Sequence, residues 1–130
     1  MPTSLTRLDS RVEAALGHSI AALHAEQARL DAAAARVLDA HRTLTRAETT
    51  VAFERVRLLI CADRQRRVDD QLLDNLSAQL EVLEDAATAR DEAESDLLAR
   101  IEEHQRATAT AAVAGPPRAV PVVQAAGRSR

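Results

Sequence analysis

Apolar positions recur at helical spacing over most of the chain. Leu8, Val12, Leu16 and Ile20 stand four apart each time. From Ile20 the spacing alternates between three and four, through Leu23, Gln27, Leu30, Ala34, Val37, His41 and Leu44. A second series of the same kind runs Leu73, Leu76, Leu80, Leu83, Ala87, Arg90, Glu94, Leu97, Ile101 and His104. Side chains three or four apart share one face of a helix, and a 3-4 alternation is the heptad pattern of helices that pack side by side. Two helical arms are therefore predicted. Gln27, His41, Arg90 and Glu94 interrupt the two seams with polar groups. Such groups cost stability unless partnered, so these four are expected to set register and the choice of partner.

The stretch between the arms has a different pattern. Val51, Phe53, Val56, Leu58, Leu59, Ile60 and Cys61 are too dense for one seam. A helix this apolar is covered on more than one side, which predicts a crossover or a binding surface. Helix is expected from about 5 to 106, opened by a capping signal at Thr6-Arg7-Leu8-Asp9. Two interruptions are expected. Thr43, Thr45, Thr49 and Thr50 lower helix propensity across 43–50, and Asp63–Asp70 is polar except for Val68 across 62–70. Gly115-Pro116-Pro117 ends the helical pattern. The organisation that follows is one elongated helical or coiled-coil region, 1–113, and a disordered tail, 114–130, containing Pro, Gly and Arg.

Composition narrows the fold class. The chain has 28 Ala, no Lys, no Tyr and no Trp, and no Gly between Gly17 and Gly115 or Pro between Pro2 and Pro116. Strands draw on β-branched and aromatic residues and on frequent turns, so sandwiches, barrels and doubly wound folds are excluded. The expected fold is all-α: a long antiparallel helical hairpin or an extended coiled coil, with a three-helix bundle as the alternative.

Charge favours the hairpin. Residues 1–53 hold six Arg and six acids, 54–67 five Arg against two acids, 68–106 three Arg against twelve acids, and 107–130 three Arg and no acid. Two 68–106 arms side by side would set one strongly acidic face on another. Packing that arm antiparallel against the neutral N-terminal arm of the same chain avoids this.

Few residues carry reactive chemistry. Cys61 is the single cysteine, so no intramolecular disulfide and no cysteine zinc cluster can form, which fits an intracellular, cytoplasmic setting. Its surroundings, Leu59 and Ile60, read as packing, although Arg57 and Arg64 lie one turn away. The isolated glycines cannot build a phosphate loop, and His18, His24, His41 and His104 lack the Glu-x-x-His spacing of helical di-iron sites. Adjacent carboxylates at 84–85, 91–92 and 102–103 diverge by about 100° on a helix and read as a solvated face. Arg55, Arg57, Arg64, Arg66 and Arg67 form the one basic cluster. With an acidic chain and no interleaved aromatics, nucleic-acid binding is disfavoured. Contact with a membrane surface is disfavoured by the lack of Trp, and no apolar run is long enough for a transmembrane segment.

No catalytic, cofactor-binding or metal-binding residue is expected, and no enzyme. The expected function is a scaffold or adaptor acting through helix–helix packing in a larger assembly, by self-association or with a heteromeric helical partner. Its interface is expected on Leu23, Leu30, Val37 and Leu44 of the first arm and on Val51, Phe53, Val56, Leu59 and Ile60 of the middle. In the second arm it is expected on Leu73, Leu76, Leu80, Leu83, Leu97 and Ile101. The alternative is a small acidic regulator that binds a basic or nucleic-acid-associated partner through 68–106.

Overall fold

The stretch free of glycine and proline folds as two long helices packed against each other in an antiparallel hairpin. A computed structural model describes residues 6–114; the tail expected at 114–130 lies, but for Ala114, outside the described residues. The elements in order are α1 (Asp9–Leu16), α2 (Ile20–Ala25), a 3-10 turn (Gln27–Arg29), α3 (Ala32–Arg64) and α4 (Asp70–Ala114). No strand occurs among the described residues. At 1.5 Å per residue, α3 is about 50 Å long and α4 about 67 Å.

The reversal between the long helices is built without glycine or proline. Asp69 accepts the backbone N–H of Leu72 at 2.9 Å and the side-chain amide of Gln65 at 2.8 Å. One carboxylate thus caps α4 and ties it to the residue that ends α3. Arg66 and Arg67 project into solvent from this turn.

No interruption occurs at 43–50, where α3 runs unbroken. The threonines expected to weaken it turn their hydroxyls back onto the helix. Thr43, Thr45, Thr49 and Thr50 each donate to the carbonyl four residues earlier, at 2.9–3.2 Å. Bonded this way, a threonine fits inside a helix without opening it.

The N-terminal third departs most from the expected rod. Helix does not continue from 5 into the first arm. α1 stops at Gly17, whose left-handed φ of 75° suits a residue without Cβ and lets its N–H reach the Glu13 carbonyl. Ser19 starts α2 by accepting the Ala22 N–H at 3.2 Å, and Asp31 starts α3 by accepting the Ala34 N–H at 2.8 Å. The heptad series 20–44 is therefore spread over α2, the 3-10 turn and the first third of α3. Its residues still converge. Leu8 and Val12 from the N-terminal segment, Leu23 from α2, Val37, Leu38 and Leu44 from α3, and Leu97 and Ile101 from α4 form one buried core.

Candidate interaction surface

The molecule divides lengthwise. At the base of the hairpin, α1 and α2 lie on the two long helices and close a core. Beyond residue 50 of α3, towards the reversal, the helices have only each other. Between them lie Val51, Glu54, Leu58 and Cys61 from α3 and Leu72, Leu76, Gln79, Leu83 and Ala86 from α4, of which only Glu54, Leu72 and Ala86 are buried. Glu54 is held in this seam by the Gln79 amide at 2.7 Å and by Arg57 at 3.6 Å.

The helical repeat makes the contrast quantitative. Eighteen residues are five full turns, so Leu38 and Val56 share one face of α3, as do His41 and Leu59. Leu38 and His41 are 0% and 1% exposed under the N-terminal helices. Val56 and Leu59, on the same stripe farther along, are 52% and 60% exposed. Phe53 and Ile60 flank them, also exposed, and Arg57 lies 5.8 Å over the Phe53 ring. Leu73 and Leu80 add exposed apolar side chains from α4. Val56, Leu59 and Ile60 line one shallow hollow on α3, and contiguous apolar surface is unusual on a monomer unless something covers it.

The fifteen residues expected at an interface fall into three groups. Leu23, Val37, Leu44, Leu97 and Ile101 lie in the chain's own core. Leu30, Val51, Leu76 and Leu83 are half-buried along the seam or its flank. Phe53, Val56, Leu59, Ile60, Leu73 and Leu80 are exposed, and all six lie in the half of the hairpin nearer the reversal.

Gln27, His41, Arg90 and Glu94 each find a partner within the chain, while the buried Nδ1 atoms of His41 and His104 have none among the described residues. His41 Nε2 lies 2.7 Å from Asp9 Oδ1, and Asp9 also accepts the Thr6 hydroxyl at 2.6 Å. A carboxylate only accepts, so the hydrogen sits on Nε2. Gln27 accepts from Arg42 at 2.5 Å, and the same guanidinium donates to His24 Nδ1 at 3.1 Å. Arg90 pairs with Asp91 at 2.9 Å, and Glu94 with Arg7. The His24 imidazole is pushed below its ordinary pKa near 6.5, first by desolvation, then by the positive field of Arg42 and by His41. The Asp9–His41 and Arg42–His24 contacts tie α1 and α2 to α3, a role that sequence spacing could not disclose because Asp9 and Arg42 lie outside the heptad series.

Other chemistry is sparse. Cys61 is half-buried at the tip, in a shallow groove with Arg57, Arg64, Leu72, Asn75 and Gln79. Among the described residues no group of three or more His, Cys, Asp or Glu is placed to hold a metal ion, and no helix is long and apolar enough to cross a membrane. No family model, curated protein or solved structure matches the chain.

Proposed function

We propose that this protein is a non-enzymatic scaffold or adaptor whose working surface is the tip of its helical hairpin. One observation carries the reading: a stripe of α3 that is closed over at the base stays apolar and bare at the tip. Leaving Phe53, Val56, Leu59 and Ile60 in water forgoes about 1.5–3 kcal/mol for each side chain that a partner would fully bury. The base supplies rigidity, since its core is closed and His41 Nε2 and Gln27 are paired across its elements. A partner helix laid along the tip would complete there the layer that α1 and α2 provide at the base.

The acidic-regulator reading places function on the solvent face of α4 instead. Salt separates the two, because apolar packing persists at high salt and charge pairing does not. The test is the size of the native complex in cell lysate, read by gel filtration of tagged chain. The wild type is expected to elute larger than the free chain at both low and high salt. Val56→Asp with Leu59→Asp is expected to elute as free chain while keeping its helical circular dichroism. Elution of the wild type at free-chain size would contradict the reading. So would a large complex indifferent to the double substitution.

A further inference from the structure

Near the reversal the hairpin holds a second concavity, which shares only Ile60 with the hollow at Val56 and Leu59. It is a groove of about 560 Å³ between the long helices, with Arg57, Cys61 and Arg64 on the α3 side and Leu72, Asn75 and Gln79 on the α4 side. The helical repeat explains which side chains meet there. Residues seven apart differ by only about 20° around a helix, so Arg57 and Arg64 leave α3 on one side, as Leu72 and Gln79 leave α4. The α4 wall is neutral although this part of the helix is acidic. Asp70, Asp74, Glu81, Glu84 and Asp85 all stand about 120–180° around α4 from Leu72. Among the described residues no carboxylate lines the groove. The two that touch its lining are engaged: Glu54 accepts from Gln79 at 2.7 Å and faces Arg57 at 3.6 Å, and Asp69 accepts from Gln65 and from the Leu72 N–H. Arg64 makes no ion pair with any described residue. A chain of formal net charge −3 thus sets two guanidinium groups and no acid around one concavity.

We propose that this groove is a binding site for a small organic molecule carrying two phosphate groups. A guanidinium presents a planar fork of N–H donors that matches phosphate oxygens two at a time, and charge on both sides makes these hydrogen bonds the strong kind. A phosphate brings nearly two charges and three acceptor oxygens, so it draws more from each fork than a carboxylate does. Arg57 and Arg64 stand about 10 Å apart along the α3 axis, and each takes one phosphate. The body of the ligand lies between them over Ile60, Cys61 and Leu72, with the Asn75 amide free to donate to it. Arg57 is already held near the groove by Glu54 and by the Phe53 ring, which lowers the ordering cost of binding. The volume suits a ligand of this size. The site stands apart from the packing surface and does not depend on it.

The full-length chain is titrated with fructose 1,6-bisphosphate by isothermal titration calorimetry, at low salt and at about 300 mM salt. Saturable one-to-one binding that weakens with salt is expected, with inorganic phosphate about tenfold or more weaker. Arg57→Gln and Arg64→Gln should each weaken binding by about tenfold or more with unchanged helical circular dichroism. Arg66→Gln with Arg67→Gln removes the same charge from the turn outside the groove and should leave affinity within about twofold. Cys61 reports the location: bound ligand should slow alkylation of its thiol by iodoacetamide. No binding up to about 10 mM ligand overturns the proposal. So does a loss in the Arg66, Arg67 variant as large as in the groove variants, or a bound ligand that leaves Cys61 alkylation unchanged. Inorganic phosphate binding as tightly as the bisphosphate overturns the two-phosphate site.

Discussion

The base and the tip of the hairpin use the same two helices and reach different outcomes. At the base, α3 presents Leu38 and His41 to a third layer made by the N-terminal segment, and both are removed from water. Five turns on, the same face of α3 presents Val56 and Leu59 to solvent. The difference does not follow the apolar content of the stripe, since the buried end holds Leu38 and His41 and the exposed end Val56 and Leu59. It lies in how far the chain reaches: α1, α2 and the 3-10 turn form a covering layer that spans only the first third of α3. A helix pair by itself buries one seam and leaves its outer faces wet, so a second apolar face needs a further helix.

The largest expected effect separates the two regions by stability. Leu97→Ala, at the centre of the closed core, should destabilise the purified chain by about 2–5 kcal/mol in urea unfolding. Val56→Ala in the monomer should change it by no more than about 0.5 kcal/mol. Equal losses at both sites would erase the distinction between a closed base and an open tip. Next comes the attachment of the covering layer. Asp9→Ala leaves the buried His41 imidazole without its acceptor and should cost about 1–3 kcal/mol, with little effect on the spectrum of the two long helices. A cost near zero would mean that α1 is held by apolar contacts alone.

The smallest expected effect is a pH dependence, again confined to the base. His24 has a lowered pKa in the folded chain, so between that value and about 6.5 the unfolded chain binds more protons. Its contribution is therefore fully present above about 6.5 and is lost as pH falls through the folded value. The melting temperature should decline on acidification through this window, and His24→Gln should make the decline shallower. An unchanged slope in that variant would assign the pH response to other groups.

Much of this division was legible in the residues. The density of Val51–Cys61 announced a helix with more than one apolar face, and the polar run 63–70 announced the reversal. The N-terminal third was not legible, because the 3-4 alternation runs through 20–44 without regard to the breaks. Its signals were local: Gly17 followed by Ser19, and Asp31 before four alanines. A short capping signal carries little weight against a long periodic one until tertiary contacts decide, and here the fold-back of 6–31 onto α3 decides. The threonines of 43–50 misled in the opposite sense, since propensity does not count the bonds that their hydroxyls return to the helix. The site itself was half legible. Spacing identified the apolar positions, but only the fold shows which of them the chain keeps for its own core.

The most direct test of the division is amide hydrogen exchange on dilute, unassembled chain, followed by the same measurement after assembly. The account predicts that 34–47 and 90–101 exchange slowly in both, while 50–64 and 70–84 exchange faster in the dilute chain and slow down on assembly. A tip as well protected as the base in the dilute chain, with no change on assembly, would contradict it.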